Sequence, residues 1–156
     1  MTLAPDITDL LARARADLRM GVPIVLGSDH GLLVLAVESL GDERLRDVMA
    51  LGADADLVLT GRRAATLKAR AYDGDVARVA LPQDATLRWV QALADPADDL
   101  THPMKGPLVT RREGDPTLHR MAVMLAKSAR LLPAVVTVPL NNPAEFAATH
   151  TLTLLE

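Results

Sequence analysis

Three short runs, Val22–Leu26, Leu57–Thr60 and Val135–Val138, constrain the fold most: none carries a charged residue, and Gly or Pro stands beside each. Apolar runs of that length, bounded by turn formers, are strands of a sheet interior. Between them the spacing changes. Ile7, Leu10, Leu11, Ala14 and Leu18 recur at helical intervals after Pro5-Asp6, with Gly21 placed to cap the helix end.

The same pattern continues along the chain. Gly27 and Gly31 bracket a turn between Val22–Leu26 and the apolar Leu32–Val37, which predicts a hairpin. Helices are expected over Asp42–Ala50, near Arg63–Ala69, and through Trp89 to Ala94 behind a cap at Asp84 or Thr86. Val76–Leu81 reads as a further strand of the sheet interior. Asp95–Pro103 has the composition of a loop but is too short to divide two domains. We find no internal repeat, so residues 1–156 read as one α/β (α+β) domain, a mixed sheet with packed helices.

Composition excludes several classes of function. Aromatic residues make up 2% of the chain (Tyr72, Trp89, Phe146), which leaves no stacking platform for single-stranded nucleic acid. A net charge of −3 supplies no broad field for a polyanion, so nucleic acid is not an expected partner. The absence of cysteine excludes disulfides, thiolate metal sites and a cysteine nucleophile. No apolar run reaches the roughly 18 residues of a membrane span, no signal-peptide order is present at the N-terminus, and a cytoplasmic location is expected. The methionines Met20, Met49, Met104, Met121 and Met124 read as core filler.

One long segment adds a family. Thr110-Arg111-Arg112-Glu113-Gly114-Asp115-Pro116-Thr117-Leu118-His119 leads into the helix-like Arg120–Arg130, and Leu131-Leu132-Pro133-Ala134-Val135-Val136 turns back into a strand. This layout resembles the 3,4-dihydroxy-2-butanone 4-phosphate (DHBP) synthases of riboflavin biosynthesis, in which Arg-Gly-Gly-His-Thr opens a helix that closes on Pro-Ala and a buried strand. Leu18–Leu26 is similar to the family's first helix end, glycine cap and strand. Leu57–Thr60 with Arg62–Leu67, and Pro143–His150 with Thr151–Leu155, look like its second buried strand and its last helix and strand. The resemblance spans nearly the whole chain in order. It departs from the family where chemistry is done: Gly27-Ser28-Asp29-His30-Gly31 stands in place of a long acidic loop, and Gly-His-Thr is missing.

The resemblance implies conversion of ribulose 5-phosphate into a four-carbon phosphate plus formate, which needs a base and divalent cations. Asp29 is the only acid between Leu26 and Val37, and one carboxylate cannot supply both. We therefore expect no catalytic residue, no metal site and no cofactor, with magnesium required only if a reworked site remains active. Aligning the missing His-Thr puts it on Leu118 and His119, or on Asp115 and Thr117. Arg111 or Arg112 and Thr117 match the motif's residue types and are candidate phosphate-binding residues at a helix N-terminus. The plainer reading is that Asp115 or Thr117 caps the helix, with Pro116 in its first turn and the arginines solvated. Asp29 with His30 could ligate a metal or form an ordinary turn; His102 precedes a proline, His119 faces a helix start, and His150 ends a helix.

Three functions fit these residues. One is a degenerate synthase-like domain with a structural, dimerising or regulatory role, similar to the divergent portion ahead of GTP cyclohydrolase II in fused riboflavin enzymes. On that reading the chain is a domain cut from a longer protein, with a fused or partner cyclohydrolase domain. The second is an active sugar-phosphate enzyme with a reworked site, and the third a small-molecule binding module unrelated to riboflavin. The Leu-rich first helix and the apolar Met121–Leu132 also predict a two-fold homodimer.

Overall fold

The computed structural model describes residues 2–52, 54–99 and 108–156. Its helices are α1 (Ile7–Arg19), α2 (Asp42–Met49), α3 (Gly61–Thr66), α4 (Leu87–Ala94), α5 (Thr117–Ser128) and α6 (Pro143–His150). The strands are β1 (Ile24–Gly27), β2 (Gly31–Ala36), β3 (Asp56–Thr60), β4 (Val76–Ala80), β5 (Val135–Leu140) and β6 (Leu154–Leu155). They form one mixed sheet in the order β4-β3-β5-β2-β1-β6, antiparallel throughout except for β6 beside β1.

Alternate strand residues feed two apolar clusters, one on each face of the sheet. Ala14 and Leu18 of α1 and Ala122, Val123 and Ala126 of α5 cover Ile24, Leu26, Val34, Val58 and Val135. On the opposite face α2, α4 and α6 cover Val25, Leu33, Leu57, Val136 and Val138. The expected mixed sheet with packed helices is therefore the architecture present.

Local chemistry sets the element ends. Asp6 and Asp9 form a reciprocal capping box at the start of α1. At its end Gly21 takes φ +78, and Val22 donates its N–H to the Asp17 carbonyl at 2.8 Å. That bond belongs to the helix terminus, so β1 begins at Ile24 instead of Val22. Gly27, at φ +110, and Gly31 bracket the β1–β2 turn as expected. Thr86, not Asp84, caps α4 by accepting from the Trp89 N–H. Thr60 caps α3 in the same way, which starts that helix before Arg63.

Two expectations fail. β4 lies at the sheet edge rather than in its interior, yet Val76 to Val79 are buried. The segment after residue 107 covers that edge: Thr110 bridges Val79, Ala80 donates to the Val109 carbonyl, and Arg111 donates to the Arg78 carbonyl. Met20, Met121 and Met124 are exposed, and of the described methionines Met49 alone packs against a core cluster. Met104 lies outside the described residues.

Candidate functional site at the start of helix α5

Strand register brings sequence-distant polar groups together on the β3–β4 side of the sheet. Asp56 pairs with Thr137 and Ala80, Val58 with Arg78, and Thr60 with Val76, so Asp56, Arg78 and Thr137 lie close together, with Asp73 and Asp75 just before β4 at the end of the sheet away from the β1–β2 turn. Asp56, Arg78 and Thr137 each stand two residues from a valine of the α1/α5 cluster and therefore point to that face. All three are buried, between 1% and 5% exposed. The start of α5 lies above them.

Asp56, Asp73 and Asp75 each hold an arginine. Arg78 donates Nε to Asp73 at 2.8 Å, with both side chains almost fully enclosed, and reaches the Gly114 carbonyl at 3.4 Å. Arg111 donates Nε to Asp56 at 2.6 Å. Arg120 donates Nε to Asp75 at 2.8 Å and a terminal nitrogen to the Asp73 carbonyl at 3.1 Å. Burial lifts the Asp56 carboxyl above its ordinary range against the opposing pull of Arg111. The Asp75 carboxyl is lowered by its hydrogen bond from Arg120.

His119 projects into this cluster from the first turn of α5. Its Nδ1 is enclosed and has no hydrogen-bond partner. Burial, reinforced by Arg78, lowers its pKa from 6.5 to about 4. The ring is therefore neutral at physiological pH, with a nitrogen free to accept or donate according to tautomer.

The expected phosphate-binding residues come close in space but are differently engaged. Arg111 is only partly exposed and is bound to Asp56 instead of being solvated. Arg112 is exposed, with its guanidinium 4.9 Å from the centre of the Tyr72 ring. Thr117, the first residue of α5, gives both its N–H and its hydroxyl to Asp115 Oδ1, at 3.0 and 2.6 Å. Asp115 thus secures the helix start, with Pro116 immediately before the helix. That pair of bonds from Thr117 holds the Asp115 carboxyl below its ordinary range.

Asp29 and His30 are exposed in the β1–β2 turn, and His150 at the end of α6 lies against Phe146. His102 falls outside the described residues. Sequence reasoning missed Asp56, Asp73 and Arg78. The signal was an arginine at the centre of Val-Ala-Arg-Val-Ala and an acid opening an apolar strand, since each demands a buried partner.

A divalent cation of the kind the resemblance implies does not fit these residues. Among the described residues no group of three or more His, Asp or Glu could hold a metal ion. The buried carboxylates are already paired with guanidinium groups.

Comparison with known proteins gives the fold its class. The chain superimposes on DHBP synthase of Candida albicans with a TM-score of 0.62 and 17% identity, covering 93% of this chain and 92% of that one. A two-domain DHBP synthase from A. baumannii aligns with a TM-score of 0.63 and 19% identity, over 92% of this chain and 54% of that one. A DHBP synthase in complex with two magnesium ions aligns at 0.59 and 17% identity, over 97% and 92% of the two chains. The chain is a DHBP synthase-like domain in fold. In sequence it is 33% identical over 150 residues to GTP cyclohydrolase-2 of Azospirillum brasilense, across 92% of this chain and 39% of the relative. It therefore spans well under half of that relative's length, in the relative's N-terminal part. No family model matches the chain. No described helix is long and apolar enough to cross a membrane.

Proposed function

We propose that this domain belongs to riboflavin biosynthesis through a GTP cyclohydrolase-2 type protein, has lost the synthase reaction, and acts as a structural, dimerising or regulatory domain. The observation that carries this reading is the pairing of Asp56, Asp73 and Asp75 with Arg111, Arg78 and Arg120. Carboxylates held this way neither cage a cation nor remove a carbon-bound proton. Magnesium titrated into the protein should give no saturable calorimetric heat. Saturable binding abolished by Asp29→Asn would restore the reworked enzyme, whose one supporting feature is the unpartnered nitrogen of His119.

Any small ligand at this end is an anion near Arg111, Arg112 and Thr117, bound without metal. Arg112 is exposed, and the first N–H groups of α5 favour negative charge. Phosphate binding seen by calorimetry should disappear in the double variant Arg111→Ala and Arg112→Ala and survive chelator; the opposite pattern would place the anion elsewhere.

The assembly role rests on the outer faces of α1 and α5, where Ile7, Met121 and Met124 are exposed. A two-fold homodimer there buries at least roughly 1,200 Å² in total. Light scattering at micromolar concentration should give twice the chain mass, and a monomer would remove the dimerising role. The cytoplasm is the compartment we assign, consistent with a chain that contains no cysteine.

A further inference from the structure

A groove of about 520 Å³ opens on the other face of the sheet, between α2, α6 and the start of β1. Val22, Pro23, Leu33 and Val48 contribute its apolar surface. Such a volume, largely apolar with few polar groups, is that of a small-molecule site.

Three observations set the groove apart from an ordinary surface furrow. The chain's single phenylalanine, Phe146, lines it rather than lying fully buried, and its ring pairs with His150 at 4.5 Å between centroids. Leu51, also lining the groove, is 43% exposed. Thr151, at the end of α6, takes φ +55, a left-handed conformation that a β-branched residue adopts at a cost. The polar groups of the groove are complementary in type. Arg44 and Asp47 stand one turn apart on α2 and supply donors and acceptors side by side, with Arg44 fixed by a hydrogen bond to the Gly21 carbonyl.

We propose that this groove binds a planar heteroaromatic molecule, stacked against the Phe146–His150 pair, whose polar edge offers acceptors to Arg44 and donors to Asp47. A plain aliphatic ligand would leave the ring pair without a stacking partner, and a simple anion would meet Asp47. The site lies on the opposite face from the α5 cluster and is independent of the function proposed there.

Guanosine, whose base edge carries both donors and acceptors, is a suitable probe, and the single phenylalanine gives an unambiguous aromatic NMR signal. Titration should shift the Phe146 and His150 ring signals saturably. Phe146→Leu and Leu51→Glu should each weaken binding at least tenfold, as should Arg44→Ala with Asp47→Ala, while Met124→Ala on the far face should leave it unchanged. Leu51 is exposed, so its substitution keeps the test valid if Phe146→Leu disturbs packing. Absence of ring shifts at millimolar guanosine, equal shifts with toluene, or binding unaffected by Leu51→Glu would overturn the proposal. So would concentration-dependent shifts without probe, which would make the groove a contact between two copies of the chain.

Discussion

Arg78 is 4% exposed at the centre of a five-residue strand, and Asp73 neutralises it. Removing one partner of such a pair leaves a buried charge, so Arg78→Ala should cost about 3–5 kcal/mol, read from the urea midpoint. Replacing Arg78 and Asp73 together by apolar residues should recover much of that loss; no recovery would contradict the pairing. His119 gives stability a pH dependence. The unfolded histidine takes its proton near 6.5 and the folded one only near 4, so between those values the unfolded chain binds more protons and acid destabilises the fold. The groups around it are Arg78, Asp73, Arg111 and Asp115. Asp56, raised by burial, acts in the opposite sense, gaining stability as pH falls. Urea midpoints should therefore drop from pH 7 to pH 5, and His119→Gln should flatten that drop; an unchanged slope would show that His119 is not the group responsible. The pairing of Asp56 with Arg111 was not legible in the sequence, because the two are 55 positions apart and meet only in the folded chain.

At the scale of elements the sequence was far more readable. Period and punctuation located the buried strands and the β1–β2 hairpin, because each is bounded by Gly or Pro, while α6 was located by the resemblance to the family's last helix. What failed depended on neighbours outside the element. β4 has the pattern of an interior strand because the chain around Val109 to Arg111 covers its free edge, which no local pattern encodes. The run Met121–Ala126 is apolar at every position, so no helical period marks its buried face, and only packing distinguishes exposed Met121 and Met124 from buried Ala122 and Val123. The cap at Thr86 offers a local check. Thr86→Ala should destabilise by about 1 kcal/mol in chemical denaturation, whereas Asp84→Ala should be nearly neutral.

For the whole molecule, the fold is that of DHBP synthases, and its separation from their chemistry is our proposal. The sheet and its two-sided helix packing have the fold of DHBP synthases, while the turn between β1 and β2 consists of Ser28, Asp29 and His30 and the carboxylates of Asp56 and Asp73 are matched with arginines. That this turn is short and carries a single acid was legible from the sequence alone. The pairing that takes up the remaining acids required the structure. The most direct test incubates the purified domain with ribulose 5-phosphate and magnesium and measures formate. Release at the background rate is the predicted result; formate above background, abolished by Asp29→Asn, would contradict the account.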